Sequence, residues 1–153
     1  MTMKKILIAS MILAAVVMGL LYFLSLPPPS INDAVDADDI GRIQRLIRRG
    51  YDVNEEESNG YTPIMWAVGS TGRLEIVKIL LTNGANVNVV AQGGETPLLI
   101  ASYYGNMEII GLLLAKGADT NVKDKKGRTP LSFAVLMGRK EQEDLLRAHG
   151  AKE

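Results

Sequence analysis

The stretch that decides the fold is Asn83-Gly84-Ala85-Asn86-Val87-Asn88 followed, after a short polar interval, by Thr96-Pro97-Leu98. Both pieces recur. Thr62-Pro63-Ile64 stands 34 residues before Thr96-Pro97-Leu98, and Thr129-Pro130-Leu131 stands 33 after it. The glycine returns as Gly50, Gly84, Gly117 and Gly150, at intervals of 34, 33 and 33. Around it lie Arg49-Gly50-Tyr51-Asp52-Val53-Asn54, Lys116-Gly117-Ala118-Asp119-Thr120-Asn121 and His149-Gly150-Ala151. Landmarks that keep register over such a period mark stacked supersecondary units.

Each landmark has a mechanical reason. A Thr before a helix can cap it with its hydroxyl, and Pro fits the first helical position, where its missing N–H is harmless. Ala67, Ala101 and Ala134 are small enough for paired helices to approach closely. Ile76/Val77 and Leu80/Leu81 in one unit, and Ile109/Ile110 and Leu113/Leu114 in the next, make buried stripes on second helices. Gly at the helix end can adopt the left-handed conformation that the exit turn needs.

This pattern resembles the ankyrin repeat. The resemblance implies an all-α solenoid of about four helix-turn-helix repeats with short β-hairpin loops. The repeats are expected near 31–56, 57–90, 91–123 and 124–153, within a domain covering 31–153. In the first, Ala34, Ile43, Leu46 and Ile47 take the core positions and Ser30 replaces the threonine as cap, with Asp33 three residues on. In the last, Glu143 stands where inner repeats carry Val77 and Ile110, as an end cap with a polar outer helix requires. The stack is therefore expected to be capped at both ends. Ala67 to Gly72 is one residue longer than Ala101 to Gly105, which predicts a looser turn at Gly69-Ser70-Thr71-Gly72. Trp66 aligns with Ile100 and Phe133 and is expected in the core.

Residues 1–26 read differently. Ile6 to Leu26 is apolar apart from Ser10, Gly19 and Ser25, long enough as a helix to cross a bilayer. Pro27, Pro28 and Pro29 then open a stiff linker over 27–30. Lys4 and Lys5 precede the segment and Asp33, Asp36, Asp38 and Asp39 follow it, which predicts export of the body across the cytoplasmic membrane. Two outcomes stay open: a single-pass transmembrane signal anchor with the repeats facing the periplasm, or a cleaved signal with the repeats secreted into it.

Composition narrows the function. The 17 Lys and Arg balance 17 Asp and Glu, and with two lysines ahead of the apolar segment the remainder is slightly acidic, giving no bulk attraction to nucleic acid. No cysteine is present, so no disulfide, zinc ribbon or thiol nucleophile can form. No phosphate loop, dinucleotide fingerprint or zinc-protease pattern occurs. His149, the single histidine, occupies a helix-ending position that suits a cation rather than a catalyst. Acids gather at Asp36–Asp39 and Glu55–Glu57 without metal-ligand spacing. No enzyme, cofactor, metal or small-molecule substrate is expected.

What the resemblance implies instead is a protein-binding surface made of hairpin tips and exposed positions of the first helices. Those positions are Ser58, Asn59 and Tyr61, then Gln92, Gly93 and Glu95, then Lys125, Lys126 and Arg128 on the hairpins. On the helices they are Gly69 and Ser70, then Tyr103 and Tyr104, then Leu136 and Met137. Tyrosines on such a surface bury much area at little entropic cost. Glu55–Glu57 at one hairpin and Lys123, Lys125, Lys126 and Arg128 at another would orient a partner along the stack. The similarity to small exported bacterial ankyrin proteins implies an envelope partner that is inhibited, protected or stabilised. The alternative is a scaffold or assembly factor in a membrane complex.

Overall fold

The computed structural model describes residues 3–25, 30–70 and 73–152, and in the first helix the side chains of 10–21. The Pro27–Pro29 linker and Thr71-Gly72 of the longer turn lie outside the described residues. Helix α1 runs Met3–Ser25. The repeats supply α2 (Ile31–Asp36) with α3 (Ile40–Arg48), α4 (Pro63–Val68) with α5 (Leu74–Thr82), α6 (Pro97–Tyr104) with α7 (Met107–Ala115), and α8 (Pro130–Leu136) with α9 (Lys140–Ala148). Each pair packs on itself, and the first helices α2, α4, α6 and α8 touch in sequence to make one continuous inner layer.

The expected reasons for these helices hold with one exception. Ser30 accepts from the N–H groups of Asn32 and Asp33, Thr96 from Leu99 at 3.3 Å, and Thr129 from Ser132 at 3.0 Å, where a reciprocal bond completes a capping box. Thr62 makes no side-chain cap bond, and its hydroxyl is buried without a partner among the described residues. Ala34, Ala67, Ala101 and Ala134 are fully buried where first helices cross, and Ile43, Ile76, Leu80, Ile109, Ile110, Leu113 and Leu146 fill the layer behind them. Gly50, Gly84, Gly117 and Gly150 end the second helices at φ of 84°, 90°, 83° and 88°. Glu143 lies between Lys140 and Arg147, its Oε1 3.4 and 3.0 Å from their nitrogens.

The connecting loops correct one expectation. Among the described residues there is no β-strand. Each hairpin has a single backbone pair at its neck: Glu57 N–H to Tyr61 O at 2.9 Å, Ala91 to Glu95 at 2.9 Å and Asp124 to Arg128 at 3.1 Å. The next inward bond already closes the turn, from Gly60 to Glu57, Gly94 to Ala91 and Gly127 to Asp124. Loops this short have no room for a ladder, so they join sideways instead. Gln92 N–H donates to Asn59 O and Lys125 N–H to Gly93 O, each at 3.0 Å. Gly94 shows what this approach demands: its φ is +84°, and a Cβ there would meet the backbone of Asp124 and Lys125 at 3.0 Å.

A second set of bonds ties the repeats together at the opposite ends of the hairpin segments. Asn54 Nδ2 donates to Gly84 O at 3.0 Å while its Oδ1 accepts from Asn86 N–H at 2.7 Å. Asn88 does the same with Gly117 O and Asp119 N–H, and Asn121 with Gly150 O and Lys152 N–H. The amide side chain matches one carbonyl and one N–H of the next repeat at once. That accounts for an asparagine at the close of the first three glycine motifs.

Among the described residues no helix is long and apolar enough to cross a membrane. The span expected from Ile6 to Leu26 extends past the described side chains at both ends. Residues 10–21 of α1 are exposed throughout, including Met11, Leu13, Met18, Leu20 and Leu21.

Candidate protein-binding groove

The inner helices and hairpins enclose an open groove of about 720 Å³. It gathers Asn59, Tyr61, Gly69, Ser70, Glu95, Tyr103, Tyr104 and Arg128 from the expected binding set. Ser58, Gln92, Lys125 and Lys126 are exposed at the hairpin tips, outside the lining. Gln92 and Ser58 also serve the stack, since Gln92 Nε2 donates to Ser58 O at 2.6 Å. Leu136 and Met137 lie at the end of α8, exposed at 78% and 38%, beside an exposed Val135.

The floor is aromatic. Tyr103 meets Tyr104 and Phe133 edge-on, with ring centroids 5.3 and 5.5 Å apart. Tyr61 lies against Trp66 at 5.3 Å and 51°. Trp66 departs from its expected place in the core. It is 36% exposed and faces this groove, although its counterpart Phe133 is buried. Indole brings an N–H that a core between helices leaves unpaired, and here Nε1 donates to Glu57 Oε1 at 3.1 Å. The hairpin carboxylate draws the ring to the surface. Alignment by period found the position of the side chain but not the partner that turns it outward.

Two arginines that sequence reading treated unequally frame the groove. Arg128, expected there, binds Asp124 through Nε and Nη2, both at 2.6 Å, and its guanidinium lies over the Phe133 ring at 5.0 Å. Arg73, not expected, donates to Trp66 O at 3.3 Å and Asp36 O at 3.1 Å, joining α4 to the end of α2. Asp124 also accepts from the N–H groups of Lys126 and Arg128 at 2.9 Å. Burial pushes its carboxyl up. The Arg128 side-chain bond, these backbone donors and the guanidinium charge together outweigh that and hold it below the ordinary carboxylate range. The Tyr61 hydroxyl is pushed up, first by burial, then by the charges of Glu95 and Tyr104.

The arrangement suits recognition. Rigid rings, a few fixed charges and an open mouth offer a partner side chains to bury. Among the described residues no group of three or more His, Asp or Glu is placed to hold a metal ion.

Comparison with known proteins agrees with this architecture. The family model for ankyrin repeats in three copies matches residues 31–91 and 64–152. The 2-5A-dependent ribonuclease of Mus musculus is 40% identical over 73 residues, 47% of this chain and 10% of that protein. An ankyrin repeat-containing protein of Schizosaccharomyces pombe is 35% identical over 77 residues, 50% of this chain and 37% of its own length. Ankyrin repeat domain-containing protein 40 of Homo sapiens is 33% identical over 73 residues, 47% of this chain and 20% of that protein. The likeness thus covers a minor part of each of these relatives. With a family match extending from residue 31 to 152, the chain belongs to the ankyrin repeat family.

Proposed function

We propose that this chain is a protein-binding module that holds a partner in the groove between its hairpins and first helices. The observation that carries the reading is the exposed aromatic lining, with Tyr103 and Tyr104 half exposed and Trp66 beside them. Monomeric surfaces seldom leave such rings together without use, and Trp and Tyr are the residues on which interface energy concentrates. A stack of this size can present a standard interface of about 800 Å² per partner.

The partner belongs to the cell envelope. Residues 6–26 tether the module to the cytoplasmic membrane with the repeats on the far side, a reading supported by their apolar sequence and the lysines before them. There the module covers or stabilises an envelope enzyme as an inhibitor or accessory.

Capture from envelope extracts tests this, comparing the wild type with Tyr103→Ala/Tyr104→Ala, whose folding is checked by circular dichroism. The expected result is one enriched envelope protein that the double variant loses, and whose activity changes when the chain is added to it. Equal capture by both forms would remove the groove from the account. A captured enzyme with unchanged activity would remove the inhibitory role.

A further inference from the structure

The charged groups lining the groove are not equivalent. Arg128 and Asp124 hold each other, and Arg73 is committed to the carbonyls of Trp66 and Asp36. Asp36 is exposed at the edge. Glu95 differs from these. Its carboxylate folds back over Gly93, into the space a Cβ would occupy, and its Oε2 is buried without a hydrogen-bond partner among the described residues. A carboxylate oxygen withdrawn from water and given no donor is costly. The cost is recovered when something brings a donor. Tyr61, Trp66, Tyr103 and Tyr104 line the same space, and the charge of Glu95 reaches the Tyr61 hydroxyl.

We propose that the groove receives an arginine side chain from an extended segment of the partner protein, its guanidinium paired with Glu95 and its faces against the aromatic rings. This rests on the reading of the groove as a protein-binding surface. Charge selects a cation: an acidic side chain would be repelled by Glu95, and a neutral one without donors would leave Oε2 unpaired. Shape selects arginine among cations. The planar fork of guanidinium can serve both carboxylate oxygens at once, and its flat faces stack on aromatic rings, whereas an ammonium offers a point charge. The protein already pairs a guanidinium with a carboxylate over a ring, where Arg128 holds Asp124 through Oδ2 while lying over Phe133.

A library of random displayed peptides selected on the full chain tests the inference, with binding read from Trp66, the single tryptophan of the sequence. The selected peptides should share an arginine, and replacing it by citrulline should weaken binding about tenfold or more. Replacement by lysine should weaken it less than citrulline does. Glu95→Gln, which keeps the shape of the side chain, should lose the same affinity while keeping its circular dichroism spectrum. Peptides that shift Trp66 fluorescence but lack arginine, or that bind Glu95→Gln unchanged, would overturn the inference and leave the binding groove standing. Failure of any peptide to shift Trp66 would overturn both.

Discussion

Individual residues show where a repeating sequence stops being informative. The period places Trp66 with Ile100 and Phe133, yet the ring lies outward because Glu57, on a hairpin, accepts its N–H. Asn54, Asn88 and Asn121 recur as plainly as the glycines, but their purpose appears only with the next repeat in place to supply a carbonyl and an N–H. Glu95 was legible as a hairpin position, not as a carboxylate whose Oε2 is buried with no donor among the described residues. Asp124 carries a prediction at this scale. Its folded pKa lies below the unfolded value of roughly 4. The stability it contributes is therefore present above that unfolded value and is lost as the pH falls through the folded one. Asp124→Asn should cost about 1–3 kcal/mol at pH 7 and less at pH 3, as measured by urea unfolding at the two values. An equal loss at both would show that the carboxylate charge is not what Arg128 and the turn N–H groups hold.

Among elements, the helices were the most legible because capping and apolar spacing act locally. Thr-Pro starts and glycine ends locate α4 to α9 without any tertiary information, and the buried alanines follow from the crossing of first helices. The hairpins were less legible. Their length forbids strands, and what holds them is contact with the neighbouring hairpin rather than a ladder of their own. The same local logic predicts unequal caps. Thr129 closes a capping box and Thr62 makes no cap bond. Thr129→Ala should therefore lower stability by about 1 kcal/mol, and Thr62→Ala should lower it by distinctly less, in paired thermal or urea denaturation. Equal losses would mean that the geometry around Thr62 does not reflect its part in folding.

For the whole molecule, stability depends on coupling between neighbours, as in any solenoid. Asn88→Ala removes both side-chain bonds from the second glycine motif to the third. It should cost about 0.5–1.5 kcal/mol and speed hydrogen exchange at the Asp119 amide, which loses its acceptor. Unchanged protection there would place the coupling in the apolar layer alone. The same stacking aligns rings from three repeats into one groove, so the groove exists only when the repeats are docked. Its tyrosines could be read from the sequence. Trp66, Arg73 and Phe133 could not, because their place in the groove depends on contacts between repeats. The central claim is that a partner protein lies in this groove, and photocrosslinking in living cells tests it most directly. A benzoylphenylalanine in place of Tyr104 is compared with one in place of Lys78, exposed on α5 away from the groove lining. One discrete adduct from position 104 and none from 78 is the predicted result, whereas adducts from 78 alone, or the same adducts from both, would contradict it.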